Sequence, residues 1–338
     1  MAAVSQCQAR WSVWGACAVA LWMLLVGLVP GASPEESWQA PLRQDHPLVG
    51  RIWDVAAGVF IDRATLVDRL RQGRFVLLGE KHDNPDHHRL QARLLHALIA
   101  AGRRPAVGFE MFTIDDAPAI AQQLAAHPDD AVGLAEAVNW QGSGWPDWAM
   151  YQPIAEAALQ ARLPIVATNL SPAMVRSLGQ SGAEALDATL AARLGLDRPL
   201  AADTQTAMAD EIREAHCGHT AEQQINAMIL VQRARDAQMA ERLATAGKQD
   251  GAVLIAGAGH VRRDYGIPAY LSSGGPGAGV ISVAFLEVSQ ELRDPTAYAA
   301  RFDRQTLPFD YIWFTPRVDE RDPCAAFEEQ LKRLHKGK

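Results

Sequence analysis

The chain has 338 residues, 49% of them hydrophobic and 21% charged, with a formal net charge of −7. This is ordinary globular composition and excludes a disordered chain, while the length allows one large domain or two. An acidic chain lacks the lysine and arginine excess that a general nucleic-acid binder needs against phosphate, so nucleic acid is not an expected partner.

Trp11 to Pro30 holds no charged residue and follows a single Arg10. Such a run is a signal-peptide core or one membrane-spanning helix. Residues 1–32 therefore read as a signal peptide or membrane anchor. The rest of the chain is expected to be exported, either periplasmic or anchored and facing the periplasm. Cys17 precedes the leucine-rich part of the run instead of ending it, which argues against a lipoprotein. Residues 33–50 are proline-rich and polar and read as a linker.

From 51 to 325, short β-branched runs alternate with longer helical periods. The expected strands are Phe75–Leu78, Ala106–Phe109, Ile165–Ala167, Val253–Ala256, Val280–Leu286 and Tyr311–Phe314. Ile52–Ile61 suggests a hairpin in front of them. Expected helices run from near His87 to Gly102, from Asp147 to Ala161, and from Thr220 to before Gly247. Strands alternating with helices predict an α/β fold, a mostly parallel sheet with helices on both faces. Residues 171–220 are rich in Ala, Leu, Glu and Arg without a strand, and read as a helical insertion or lid. Residues 326–338 read as a short solvated helical tail. Outside the leader the cysteines are Cys217 and Cys324. In an oxidising compartment two such thiols pair, which predicts a disulfide.

Ligands of open parallel sheets bind beyond the carboxyl ends of the strands. After Phe75–Leu78 come Glu80, Lys81 and His82; after Ala106–Phe109 comes Glu110; after Ile165–Ala167 come Thr168 and Asn169; after Val253–Ala256 comes Gly-Ala-Gly-His260. Burying such groups costs several kcal/mol unless they are paired or bound. Glu80, His82, Glu110 and His260 are thus expected to converge on one cleft. Imidazole and carboxylate suit zinc, iron or manganese, and Glu80 or Glu110 would serve as a catalytic base.

The helix after Thr220 carries Ile225, Met228 and Ile229 on one stripe, which continues into Gln232 and Asp236. Those two polar residues either support the cleft or drift to the surface in a salt bridge with Arg233 or Arg235. Asp86 is a candidate helix cap. Of His87 and His88, one is expected to face solvent and the other the sheet edge. His216, Cys217 and His219 read as a helix boundary. The segment Asn139–Tyr151 holds three of the nine tryptophans and reads as a hydrophobic lid or as core packing. Tyr265 and Tyr270 place phenols near the same edge.

The motifs LLGEKHDNPDHHRLQ, VGFEMF, GWPDWAMYQPIAEAA, QRARDAQMA and IAGAGHVRRDYGIPAYL together resemble the ChaN-like haem-binding uptake proteins. That family lies within the Tiki and erythromycin-esterase-like superfamily, whose G-E-x-H, later Glu and G-x-H elements map here onto Glu80 and His82, Glu110, and His260. The resemblance covers roughly residues 50–325. It implies an α/β sheet and an exported, non-enzymatic haem-binding protein of iron uptake, with haem near the interface of a homodimer. It also implies a tyrosine axial ligand, for which Tyr265 and then Tyr151 are the candidates. Lys81, Arg262 and Arg263 are the local cations for the propionates. The alternative is a periplasmic hydrolase using zinc or manganese at Glu80, His82, Glu110 and His260.

Overall fold

The computed structural model describes residues 37–272, 279–322, 324 and 325. The expected leader and C-terminal tail lie outside the described residues. Among the described residues no helix is long and apolar enough to cross a membrane.

In chain order the elements are β1 (Ile52–Asp54), β2 (Val59–Ile61), α1 (Arg63–Leu70), β3 (Phe75–Glu80), α2 (Pro85–Ala100), β4 (Ala106–Thr113), α3 (Ala117–Ala126), α4 (Ala131–Ala137) and α5 (Trp148–Gln160). They continue with β5 (Ile165–Asn169), α6 (Pro172–Ser181), α7 (Ala188–Arg193), α8 (Ala202–Ala215), α9 (Glu222–Ala246), β6 (Ala252–Gly257), α10 (Ile267–Ser272), β7 (Val280–Glu287) and β8 (Tyr311–Thr315). The strands form one sheet in the order β2-β1-β8-β7-β3-β6-β4-β5. Pairing is parallel from β8 to β5, and the β1–β2 hairpin adds antiparallel strands at one edge. All six expected strands and the hairpin are present. The six strands extend beyond their expected ends because the ladder pairing continues past the apolar runs.

Both faces of the sheet are covered, which is why its strands read as continuous apolar runs and not as alternating ones. Along β3, Val76 and Leu78 enter one core while Phe75 and Leu77 enter the other. In β6, Val253 and Ile255 face the first core, and Leu254 and Ala256 the second. The first core is closed by Leu90, Leu94, Leu95 and Leu98 of α2 and by Ile154 and Ala158 of α5. The second is closed by Met239, Ala240 and Leu243 of α9 and by Ile267 and Leu271 of α10. Residues 171–220 contain α6, α7 and α8 and no strand, as the composition predicts.

Two local readings differ from the structure. The cap of α2 is Asn84, whose side chain accepts from Asp86 N at 3.0 Å, with Pro85 opening the first turn. Asp86 instead accepts from Gln39 N and Ala40 N, the latter at 2.9 Å. That contact draws the chain before β1 onto the domain. Ala40 and Leu48 are buried and Leu42 bridges to Arg317, so residues 38–50 pack against the domain.

Cys217, in the turn between α8 and α9, is disulfide-bonded to Cys324 across a separation of 107 residues. A loop of that length gives a cross-link a large effect on the entropy of the unfolded chain. Replacing both cysteines by serine is expected to lower unfolding stability by roughly 2–5 kcal/mol. Urea titration of the two proteins measures this, and equal midpoints would show that the bridge does not constrain the unfolded state.

Candidate functional site at the carboxyl edge of the sheet

The strand order fixes where the site lies. β3 and β4 lead into helices on one face of the sheet, whereas β6, between them, leads into α10 on the other. Chain leaving neighbouring strands toward opposite faces opens a crevice at their carboxyl ends. β3 ends in Glu80 and β6 in Gly257, paired in register. β4 passes Glu110, where its register with β5 shifts. Phe109, Met111 and Phe112 all enter the same core. The strand therefore bulges here, and the bulge re-aims the side chains around Glu110.

Glu80 centres the first of two ion clusters. Its Oε1 lies 2.9 Å from His82 Nδ1 and accepts from the Tyr151 hydroxyl at 2.8 Å. Its Oε2 lies 3.1 Å from His88 Nδ1. Burial alone would raise the Glu80 carboxyl, but the charge of His88 and the hydrogen bond from His82 hold it down at about 2. Burial opposes charge on His82 and His88 too, and Glu80 outweighs it, so both are raised. Neighbouring His87 is neutral: burial drives it well below the usual histidine range, with Nδ1 accepting from Lys81 N and Nε2 facing Thr315 Oγ1. Both His87 and His88 are buried, so the expectation that one faces solvent is corrected. Each has a fixed polar partner under the sheet edge, which removes the need for water.

Glu110 centres the second cluster. Its Oε1 accepts from Arg235 Nη2 at 2.7 Å and lies 3.2 Å from His260 Nε2, and its Oε2 accepts from Gly257 N at 2.7 Å. His260 Nδ1 is 2.5 Å from Asp236 Oδ1, with the Gln232 amide 3.0 Å from the same nitrogen. Burial disfavours the imidazolium, yet Glu110 and Asp236 on either side raise His260 to about 9. Glu110 is held well below the carboxylate range, burial being outweighed by His260 and Arg235. Gln232 and Asp236 thus support the cleft. Asn169 completes the cluster by accepting from Arg235 Nε at 3.1 Å and donating to Glu110 O at 2.9 Å.

Gly257 lets the clusters meet. A Cβ on it would stand 3.0 Å from His82 Nε2 and 3.5 Å from Glu110 Oε2. The four expected cleft residues are therefore neighbours at one rim. They are arranged as ion pairs. Among the described residues no group of three or more His, Cys, Asp or Glu side chains is placed to hold a metal ion.

Beside the rim lies a cavity of about 1410 Å³. Glu80, Lys81, His82 and His260 line one wall, and α6, α8 and α9 supply apolar walls through Val175, Met208, Ile212 and Val231. Tyr265 also lines it. Its side chain packs with Met208, Ile225 and Ile229, and its buried hydroxyl meets no hydrogen-bond partner among the described residues. Tyr151 is fully buried, stacked near His88 and Trp140, with its hydroxyl donated to Glu80. Burial and then the Glu80 charge keep that phenol protonated.

Of the expected cations, Lys81 alone lines this cavity, paired with Asp83. Arg262 is 2% exposed, pairs with Glu211 and Asp264 at 2.9 Å each, and stands 4.3 Å from the centroid of the Tyr265 ring. Arg263 reaches outward to Asp310 at 2.7 Å. Trp140 and Trp148 pack in the core, while Trp145 touches His82 edge-on at 4.9 Å. The sequence reading missed His88 as a partner of Glu80 and Arg235 as a partner of Glu110. Their signal was helical spacing, His88 lying one turn into α2 and Arg235 next to the marked Asp236.

Fold and site together define an α/β protein with paired ions gathered at the carboxyl edge of a parallel sheet, beside a large apolar cavity. The chain belongs to the haem-binding uptake family of the Tiki superfamily, ChaN, whose profile matches residues 66–271. The solved structure of cofacial haem binding to ChaN of Campylobacter jejuni superposes with a TM-score of 0.61 at 19% identity, covering 80% of this chain and 98% of that one. At that identity the likeness is one of fold. An erythromycin esterase variant in its open conformation gives a TM-score of 0.46 at 12% identity over 76% of this chain and 95% of its own. No curated protein matches the sequence.

The raised His260 sets a pH dependence. Its stabilisation is complete below the unfolded value of 6.5 and is lost as pH rises through about 9. Stability should therefore fall by on the order of 3 kcal/mol across that window. Urea midpoints taken from pH 6.5 to 9.5 measure the slope, which His260→Asn should remove. A flat profile in the unaltered protein would show that His260 does not carry the proton.

Proposed function

We propose that the protein binds haem in the cavity beside Tyr265, outside the cytoplasm, and serves haem or iron uptake without catalysing a reaction. The observation that carries this is the Tyr265 hydroxyl, buried and unpartnered among the described residues, on a side chain that lines a cavity with apolar walls from α6, α8 and α9. Buried polar atoms normally have partners, and a ligand atom would supply this one. Haem, when bound, supplies a ferric centre that accepts a phenolate oxygen. The Arg262 guanidinium stands 4.3 Å from the Tyr265 ring centroid and holds that ring in place. Met208, Ile212 and Val231 match the apolar faces of a porphyrin, and Lys81 is the cation placed to meet a propionate.

Tyr151 is the weaker candidate, because its hydroxyl is already committed to Glu80. The Cys217–Cys324 disulfide supports export, since such bridges persist in oxidising compartments. A membrane anchor rests on the N-terminal run, and a homodimer with haem near its interface rests on the family resemblance. A zinc or manganese hydrolase at Glu80, His82, Glu110 and His260 gains no support from carboxylates already paired with histidine, arginine and a backbone amide.

Titration with hemin should give a saturable Soret shift. Tyr265→Phe should weaken binding at least tenfold, whereas Tyr151→Phe should leave the shift in place and cost about 1–2 kcal/mol of stability. No saturable shift at stoichiometric hemin would overturn the proposal. Stoichiometric zinc or manganese, lost in His82→Ala or His260→Ala, would favour the hydrolase.

A further inference from the structure

A second cavity, of about 860 Å³, lies on α7, α9 and α10, and Tyr265 lines this one as well. Its charge is unlike that of the first. Arg74, Arg193, Arg198 and Arg233 line it, against Glu241 and Asp264. Both carboxylates are already engaged. Glu241 pairs with Arg193 at 2.8 Å, and Asp264 pairs with Arg262 and Arg304 at 2.9 Å each. Among the described residues no carboxylate lies within ion-pair distance of Arg74, Arg198 or Arg233.

The three remaining guanidinium groups differ in setting. Arg74, just before β3, and Arg198 are exposed. Arg233 is half-buried on α9; its Nη2 donates to Gly195 O at 3.1 Å and Arg198 O at 2.7 Å, and its buried Nε–H meets no acceptor. The Tyr270 phenol is its other polar neighbour. A cation held inside by neutral oxygens, with a donor left over, lacks the counter-ion that burial calls for. Phe75, Leu194, Leu200 and Leu271 supply apolar lining around the arginines.

From this combination we infer that the second cavity is a binding site for an amphiphilic anion, a carboxylate or phosphate carried on an apolar body. The anionic head sits against Arg233 and Arg198, and the apolar body lies along the leucines toward Phe75, with Arg74 at that far end. A compact inorganic anion would leave that apolar wall uncovered, and a cationic amphiphile would meet three like charges. The site shares Tyr265 with the cavity proposed for haem, but the inference does not rest on that proposal.

Calorimetric titration of the purified full chain, without hemin, tests the inference with octyl phosphate as probe. One-to-one binding is expected, with inorganic phosphate and octyltrimethylammonium each at least tenfold weaker. Arg74→Gln with Arg198→Gln removes two side chains that make no hydrogen bond among the described residues, and the melting temperature checks that the fold is kept. That double variant should bind octyl phosphate at least tenfold more weakly while keeping its melting temperature. Its response to hemin should equal that of the unaltered chain, whatever that response is. Absence of saturable octyl phosphate binding, equal affinity in the double variant, or equal affinity for either control compound would overturn the inference.

Discussion

Everything at this site depends on the mutual neutralisation of charges that the fold forces out of water. Glu80 and Glu110 are both almost fully buried, on strands that flank β6 from either side. Two carboxylates so close would each resist ionisation if left alone. Each instead has its own cations, His82 and His88 for Glu80, Arg235 and His260 for Glu110. A buried ion pair gains little over an apolar pair, but breaking one is severely destabilising. The clusters therefore tie β3, β4, α2 and α9 to one geometry.

The backbone decides that this geometry is reachable. Gly257 occupies the end of the central strand, where a side chain would press on His82 and approach Glu110. Its amide, freed from the ladder at the strand end, closes onto Glu110. Gly79 has a similar role on the neighbouring strand β3, since a Cβ there would fall 2.3 Å from Val261 Cγ2 and 3.0 Å from Ala258 Cα. Bare backbone at both positions lets the short turn carrying His260 lie directly on the sheet edge.

Most of this was legible in the sequence, and what was not has a common cause. The strands were readable because burial on both faces makes them unbroken apolar runs. The rim was readable because those runs end abruptly in Glu and His, which packing alone does not explain. Side chains that reach the rim from helices were harder. His88 and Arg235 sit on α2 and α9, where a change in rotational phase of one residue decides between solvent and site. The same uncertainty governed Arg262 and Arg263, adjacent in sequence, one packed beneath Tyr265 and the other turned to Asp310. The packing of residues 38–50 depends on Asp86 accepting two backbone amides some 46 positions earlier, and no local pattern carries that information.

The distribution of satisfied and unsatisfied groups bears on what the site is for. A hydrolytic centre keeps a base or a metal position open to the substrate, with its carboxylate poised to take a proton. Here the Glu110 oxygens are held by Arg235, His260 and Gly257 N, and Glu80 is held far from protonation. Beside the rim, the Tyr265 hydroxyl and the Arg233 Nε–H are buried without a hydrogen-bond partner among the described residues, on side chains that line the two cavities. Two cavities flank that edge, one mixed and one lined by arginines. The ion pairs fix the geometry of the edge, and among the described residues Tyr265 lines both cavities beside it.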